Sequence, residues 1–191
     1  GDDEATTGLN GAESDYYENL DPPSFCRNGP IHHPGELLRV KGVTPALFHG
    51  LDDIPGLSRH ITQYGLNSQS TASNLLWDGK ININTAPLPV LAALLPPESQ
   101  DLAEAVYEYR AANDDGTYLN DLTQPTWYKS VPGLDGIQIS PDLITVSSDL
   151  FRITASASIN GMKVQVTALV QREQQKKTGK WVCRVLNWAT E

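Results

Sequence analysis

The stretch that decides the fold is LFRITASASINGMKVQVTALVQR, residues 150–172. Apolar residues occupy every second position from Phe151 to Ile159 and again from Met162 to Val170. Such alternation is typical of a β-strand with one apolar face. Asn160-Gly161 separates the two segments and is a strong signal for a type I′ turn. The stretch therefore predicts an antiparallel hairpin.

A third strand is predicted after the hairpin. WVCRVLNW, residues 181–188, alternates again and places Trp181, Cys183, Val185 and Asn187 on one face. Three antiparallel strands in a meander thus end the chain. Such a sheet needs a cover for its apolar face. The candidates are the helical residues upstream, the N-terminal segment tethered through Cys26, or a helix that this sequence lacks.

The residues upstream of the sheet are predicted to form helices. Thr44 is predicted to cap a helix that has Pro45 at its first position. Thr85 is predicted to cap a helix with Pro87 in its first turn, and Asp101 to cap the next in a capping box with Glu104. The spacing of the three residues Leu102, Val106 and Tyr109 predicts one core-facing stripe on that helix.

Composition narrows the class of protein. The chain has 191 residues, a formal charge of −9, and 39% hydrophobic residues, values typical of a folded globular chain. An acidic balance disfavours phosphate neutralisation, and therefore both nucleic-acid binding and anionic membrane surfaces. The sequence contains no apolar run of about 18 residues, the length that a membrane-spanning helix needs.

Catalytic motifs are absent from the sequence. It has no GxSxG, HExxH, Walker A or GxGxxG pattern, and the four histidines show no spacing typical of a triad or metal site: His32, His33, His49 and His60. The carboxylate pairs lie in turn sequences, where a structural role is sufficient. These observations predict a protein that is not an enzyme.

The acidic N-terminus and the two cysteines leave alternatives open. A turn-rich acidic start is either a solvated tail or a source of the oxygen ligands that Ca²⁺ prefers, the candidate ligands being Asp2, Asp3, Glu4, Glu13 and Asp15. Cys26 and Cys183 are either free thiols or a disulfide that pins the N-terminal segment to the last strand. A thiol catalyst is disfavoured, since neither cysteine lies in a CxxC motif or beside a histidine.

Two family resemblances attach to these segments. ININTAPLPVLAALLP (residues 81–96) and AEAVYEYRAANDDGTYLNDL (residues 103–122), together with LLRVKGVTPALFHGL (residues 37–51), resemble the helix-hairpin-helix pattern of competence-type DNA-binding proteins. The same segments, with ESDYYENLDPP (residues 13–23) and the alternating residues 150–172, resemble the K-type minor pseudopilin of the bacterial type II secretion system. The first resemblance covers the middle of the chain, and the second covers nearly all of it.

Hairpin chemistry separates the two families. A helix-hairpin-helix binds phosphate through backbone amides in a Gly-rich hairpin flanked by basic residues. Here LLPPES removes amide donors and supplies Glu98, with Asp101 close behind, while the second hairpin, VPGLDGIQI, contains Asp135. The pseudopilin is therefore the favoured interpretation, and a helix-hairpin-helix nucleic-acid-binding protein is the alternative.

The pseudopilin resemblance implies an α+β fold in which a large helical domain is inserted into a pilin-like antiparallel sheet. The corresponding domains are residues 1–35 as the N-terminal part of the pilin-like domain, residues 36–142 as the inserted helical domain, and residues 143–191 as the C-terminal meander. The abrupt acidic start suggests a periplasmic fragment from which the N-terminal pilin helix, the inner-membrane anchor, is missing.

The resemblance also implies partners and a cofactor. Family members form a complex with the I-type and J-type minor pseudopilins at the pseudopilus tip, which is thought to start assembly and to contact secreted substrates or the outer-membrane secretin. Calcium bound in family members supports the acidic ligand set Asp2, Asp3, Glu4, Glu13 and Asp15 as a structural site.

Overall fold

The computed structural model describes residues 11–26, 29, 31–65 and 79–190. The chain divides into two compact units, Gly1–Asp78 and Gly79–Glu191. Within the described residues, every helix is too short or too polar to cross a bilayer. The Ser, Asn and Gly content of residues 62–79 predicts a loop, and most of these residues lie outside the described ones.

The first unit consists of short elements joined by turns. They are α1 (Ser14–Glu18), a 3₁₀ helix (Pro34–Arg39), α2 (Pro45–His49), the hairpin strands β1 (Gly50–Leu51) and β2 (Ile54–Pro55), and a 3₁₀ helix (Leu57–Arg59). Tyr17 and Phe48 are its buried aromatic residues. The Tyr17 hydroxyl accepts a hydrogen bond of 3.1 Å from the Lys41 N–H, which ties α1 to the segment before α2.

Local capping in this unit follows the sequence. The Thr44 hydroxyl accepts from the Leu47 N–H at 3.1 Å, and Pro45 begins α2, so the predicted cap is confirmed. His33, for which the sequence predicts no structural role, caps the 3₁₀ helix by accepting from the Gly35 N–H through Nδ1.

The second unit contains a helical core. A two-residue parallel pair joins β3 (Ile81–Asn82) to β6 (Ile144–Thr145), and the elements between them are α3 (Leu88–Ala93), a 3₁₀ helix (Pro97–Leu102), α4 (Ala103–Ala111), the hairpin of β4 (Asn113–Asp114) and β5 (Thr117–Tyr118), and a 3₁₀ helix (Pro125–Ser130). The core cluster includes Ile83, Leu91, Leu95, Val106, Trp127, Tyr128, Val131, Leu134 and Ile144. Leu102, at the end of the preceding 3₁₀ helix, and Tyr109 pack against it, which confirms the predicted core-facing stripe.

Two predicted helix caps are wrong. Asn82 starts a turn in which its carbonyl accepts from the Thr85 and Ala86 N–H groups, so α3 begins only at Leu88. Asp101 lies inside the 3₁₀ helix Pro97–Leu102, which continues directly into α4, and no side chain caps that junction. In both places the preceding segment sets where the helix starts: a turn precedes α3, and a 3₁₀ helix precedes α4.

The predicted meander is confirmed. Strands β7 (Leu150–Ile159), β8 (Met162–Gln174) and β9 (Trp181–Thr190) form an antiparallel sheet in the order β7-β8-β9. Asn160 and Gly161 have φ values of 49° and 81°, as a type I′ turn requires. The structure thus mixes helices and strands, while the large inserted helical domain and the boundaries 1–35, 36–142 and 143–191 stay predictions.

One face assignment in β9 is corrected. The register shifts between Leu169 and Val170, so that Val170 pairs with Val185 but Leu169 pairs with Asn187. The extra residue, Leu186, reverses the alternation beyond it. Trp188, and not Asn187, therefore joins the apolar face of the sheet.

Candidate interaction surfaces

The apolar face of the sheet carries several exposed large side chains. Val170 is buried and Val166 is half-buried, but the remaining large apolar side chains of this face are 40–70% exposed: Phe151, Ile153, Ile159, Met162, Val164, Trp181, Val185 and Trp188. Contiguous exposed apolar residues of this number are typical of protein–protein contact sites. The surface is called the apolar sheet face below.

Arg172 orders one end of this face. Its guanidinium lies 4.8 Å from the Trp181 ring centroid and 5.7 Å from that of Phe151. It also forms a 3.1 Å ion pair with Asp149, the residue before β7. One cation thus links all three strands and holds two of the exposed aromatic rings in fixed positions.

The opposite face of the sheet is polar and internally hydrogen-bonded. The Thr154 and Thr167 hydroxyls lie 3.4 Å apart, the Ser156 hydroxyl donates to Gln165, and Arg184 donates to Gln171. The alternation that predicts the strands therefore also separates an apolar from a polar face, and the apolar one is the candidate for contact.

An asparagine pair explains the ININTA segment. The Asn84 side chain accepts from Trp127 Nε1–H at 2.8 Å and donates to the Leu122 carbonyl at 3.0 Å. The Asn82 carboxamide accepts from the Asn84 N–H and donates to the Ser148 hydroxyl at 2.8 Å. These bonds link the ININTA segment to Trp127, Leu122 and Ser148. The segment therefore has a structural role.

Arg110 supports the same region from α4. It is 8% exposed and donates to the Ile83 carbonyl at 2.8 Å. Burial lowers the pKa of Arg110, and the nearby Tyr107 opposes that shift. The guanidinium donates to the backbone of the ININTA segment and so holds α4 against it. It does not serve as an anion-binding group.

The segments that resemble DNA-binding hairpins present acidic groups. Glu98 and Asp101 are exposed on the 3₁₀ helix between α3 and α4, and Asp135 is exposed in the turn after the helix Pro125–Ser130. The one lysine near the second hairpin, Lys129, donates to the Gln138 side chain at 3.0 Å. This charge pattern opposes phosphate binding, which needs free donors and basic neighbours.

Part of the predicted calcium ligand set is described. Glu13 precedes α1 and Asp15 lies in its first turn, whereas Asp2, Asp3 and Glu4 lie outside the described residues. Residues 11–26, 29, 31–65 and 79–190 contain no group of three or more His, Cys, Asp or Glu side chains arranged to hold a metal ion. The calcium site stays a prediction.

Both cysteines are free thiols in the structure. The Cys26 Sγ–H group points at Glu13 Oε2 across 3.9 Å, and Cys183 is exposed on β9 in register with Arg172. The structure contains no bond between them, and the Cys26–Cys183 disulfide stays a prediction.

Charge segregation is the signal that sequence reasoning missed. Residues 150–190, which form the sheet and its loops, contain seven Lys or Arg and one Asp or Glu, for a formal charge of +6. The whole chain is −9, so the remaining residues carry −15. The net charge of the whole chain does not reveal that the sheet is basic and that the remaining residues are acidic.

Together these features define the class of protein as one with an ordered helical core and an antiparallel sheet that has one open apolar face. Residues 1–54 and residues 81–147 each match a sequence model described as type II secretion system protein K. No curated protein matches the chain significantly.

The chain belongs to the type II secretion system protein K family. It is therefore a pseudopilus-related component of that secretion system, exposed to the periplasm, and its family is structural and not known as an enzyme. Membership also implies contact with other pseudopilus components.

Proposed function

We propose that this protein is a minor pseudopilin of the pseudopilus tip, which assembles with the I-type and J-type minor pseudopilins to start or cap the pseudopilus. The observation that carries the proposal is the apolar sheet face, because its exposed aromatic and aliphatic side chains need a cover. Family membership supplies the class of partner. The tip position further places secreted substrates and the outer-membrane secretin within reach as contacts.

The proposed arrangement includes a membrane anchor. An N-terminal hydrophobic helix, outside this sequence, holds the full-length protein in the inner membrane and covers part of the apolar sheet face. The pilin-like sheet then faces neighbouring subunits, and the helical core faces outward. These two roles agree with the surface chemistry of the two parts, since the sheet has an open apolar face and the helical core is acidic.

A direct test is complex formation with purified I-type and J-type ectodomains. We expect one stoichiometric complex on gel filtration with light scattering, because association covers exposed apolar area. Trp188→Lys, an exposed change on the apolar sheet face, is expected to weaken the complex at least tenfold. Tyr118→Lys, an equally exposed aromatic in the β4–β5 hairpin, is the matched control and leaves it unchanged.

The alternative function has its own outcome in the same experiment. A helix-hairpin-helix protein would shift duplex DNA at physiological salt and ignore both ectodomains. The acidic hairpins described above lead us to expect no shift. A DNA shift without ectodomain binding would contradict the pseudopilin function.

Calcium is the structural cofactor that we propose for the N-terminal segment, with Asp2, Asp3, Glu4, Glu13 and Asp15 as ligands. Carboxylate oxygens are the donors that Ca²⁺ takes. Calcium at about tenfold above its Kd should stabilise the protein by about 1.4 kcal/mol, and EGTA should remove that gain.

Thermal unfolding with calcium and with EGTA measures this effect. Glu13→Gln with Asp15→Asn should abolish the difference, whereas Asp142→Asn, an exposed carboxylate of the second unit, should preserve it. An unchanged midpoint in EGTA would remove calcium as a structural element.

A further inference from the structure

The loop between β8 and β9 concentrates the positive charge of the sheet. QQKKTGK, residues 174–180, places Lys176, Lys177 and Lys180 within five consecutive positions, and all three side chains are exposed. Glu173 is the single acidic residue between β7 and Thr190. In a chain of charge −9, this cluster is a local reversal of sign and is called the lysine loop below.

The lysine loop is ordered by its own hydrogen bonds. The Gln175 N–H donates to the Lys180 carbonyl at 2.9 Å, and the Gly179 N–H donates back to the Gln175 carbonyl at 2.9 Å. The Gln174 side chain donates to the Gly179 carbonyl at 2.7 Å, and the Thr178 hydroxyl donates to the Gln175 side chain at 2.9 Å. Because these bonds already fix the backbone, docking on this loop costs little backbone ordering entropy.

The ammonium groups of the loop have no side-chain partner within residues 11–26, 29, 31–65 and 79–190. Among the residues that the structure describes, none of the three lysines forms an ion pair or donates a side-chain hydrogen bond, whereas Lys80 and Lys129 each have an acceptor. The neighbouring cation, Arg172, is committed to Asp149 and to two aromatic rings. The lysine loop thus holds three free charges beside the exposed ring of Trp181.

We propose that the lysine loop docks an acidic patch on another pseudopilus subunit. The inference rests on the proposed function and assigns one contact of that assembly. A complementary acidic patch would neutralise the three ammonium groups and speed encounter.

A compact protein patch suits this loop better than an extended anion does. A membrane plane or a duplex would also approach residues 79–149 of the same unit, whose three Lys or Arg and ten Asp or Glu give a formal charge of −7, and would be repelled by them. A partner surface that touches only the lysine loop and Trp181 avoids that repulsion. Trp is enriched in protein interfaces, and the lysines beside Trp181 suit the polar rim of such an interface.

The test is charge reversal with a matched control. The loop variant carries Lys176→Glu, Lys177→Glu and Lys180→Glu, and the control variant carries Arg59→Glu, Arg152→Glu and Lys163→Glu, three exposed cations elsewhere. Both make the same change in net charge, and both should keep the circular dichroism spectrum and unfolding midpoint of the natural chain. Affinity for I-type and J-type ectodomains is measured by titration calorimetry over a range of salt concentrations, from about 50 to about 500 mM NaCl.

We expect the loop variant to lose at least about tenfold in affinity at the lowest salt concentration and to show a flatter salt dependence, while the control changes by less than about threefold. Equal affinities of the loop variant and the natural chain would overturn the inference and leave the proposed function standing. No binding by the natural chain would overturn both. Loop-dependent binding to vesicles of phosphatidylglycerol and phosphatidylcholine, with ectodomain affinity unchanged, would assign the loop to lipid and also overturn the inference.

Discussion

Replacing Gly50 with alanine is expected to destabilise the first unit by about 3 kcal/mol or more, because two separate penalties act at this position. Gly50 has a φ of 100°, which side-chain-bearing residues rarely adopt. A Cβ atom there would also lie 2.7 Å from the Gly56 nitrogen and closer still to the Ile54 carbonyl oxygen. Both neighbours are backbone atoms, one in β2 and one in the residue that follows it, so neither can rotate away.

Gly42→Ala is the matched control for the first penalty alone. Gly42 lies in the same unit with a φ of 89°, and no atom lies within 4 Å of the position that an added Cβ would take. We expect this variant to lose only about 1 kcal/mol. Urea unfolding followed by circular dichroism, with limited proteolysis to locate the opened segment, compares the two. Similar losses of unfolding free energy in both variants would contradict the steric penalty that we assign to the Cβ atom at position 50.

Local patterns predict the elements whose partners are near in sequence. The hairpin of β7 and β8 follows from alternation and from Asn160-Gly161, and the α2 cap follows from Thr44 and Pro45. Each of these features is settled within a few residues, so a single sequence is enough to predict it. The three-stranded meander is predictable in its correct order for the same reason.

Nonlocal contacts account for the errors. The helix predicted from Thr85 starts later because Asn82, which sets the preceding turn, is held by Ser148, 66 residues away. Asn187 lies on the face opposite to the predicted one because β9 has a bulge where it pairs with β8. The alternation of residues within one strand does not reveal such a bulge. The apolar sheet face could be predicted from the strands, but the three free lysines required the structure, since sequence does not show which cations are already paired.

Asn84→Leu tests how far the second unit depends on its buried polar network. Leucine matches the branched shape of asparagine but leaves the Trp127 indole N–H and the Leu122 carbonyl without their partner, and Trp127 is only 5% exposed. An orphaned buried polar group costs about 1–3 kcal/mol, so we expect a loss of about 2–4 kcal/mol in unfolding free energy. Asn113→Leu, at an exposed residue with one bond to the Ala111 carbonyl, should cost much less.

A double-mutant cycle with Trp127→Phe separates the orphaned N–H from the loss of packing. Phenylalanine removes the donor, so the combination with Asn84→Leu no longer buries an unpaired N–H. We therefore expect the two losses to be less than additive by about 1–2 kcal/mol, as measured by urea unfolding with circular dichroism. Strict additivity would mean that Asn84 stabilises the core through its backbone carbonyl partners, and that the 2.8 Å bond to Trp127 contributes nothing measurable.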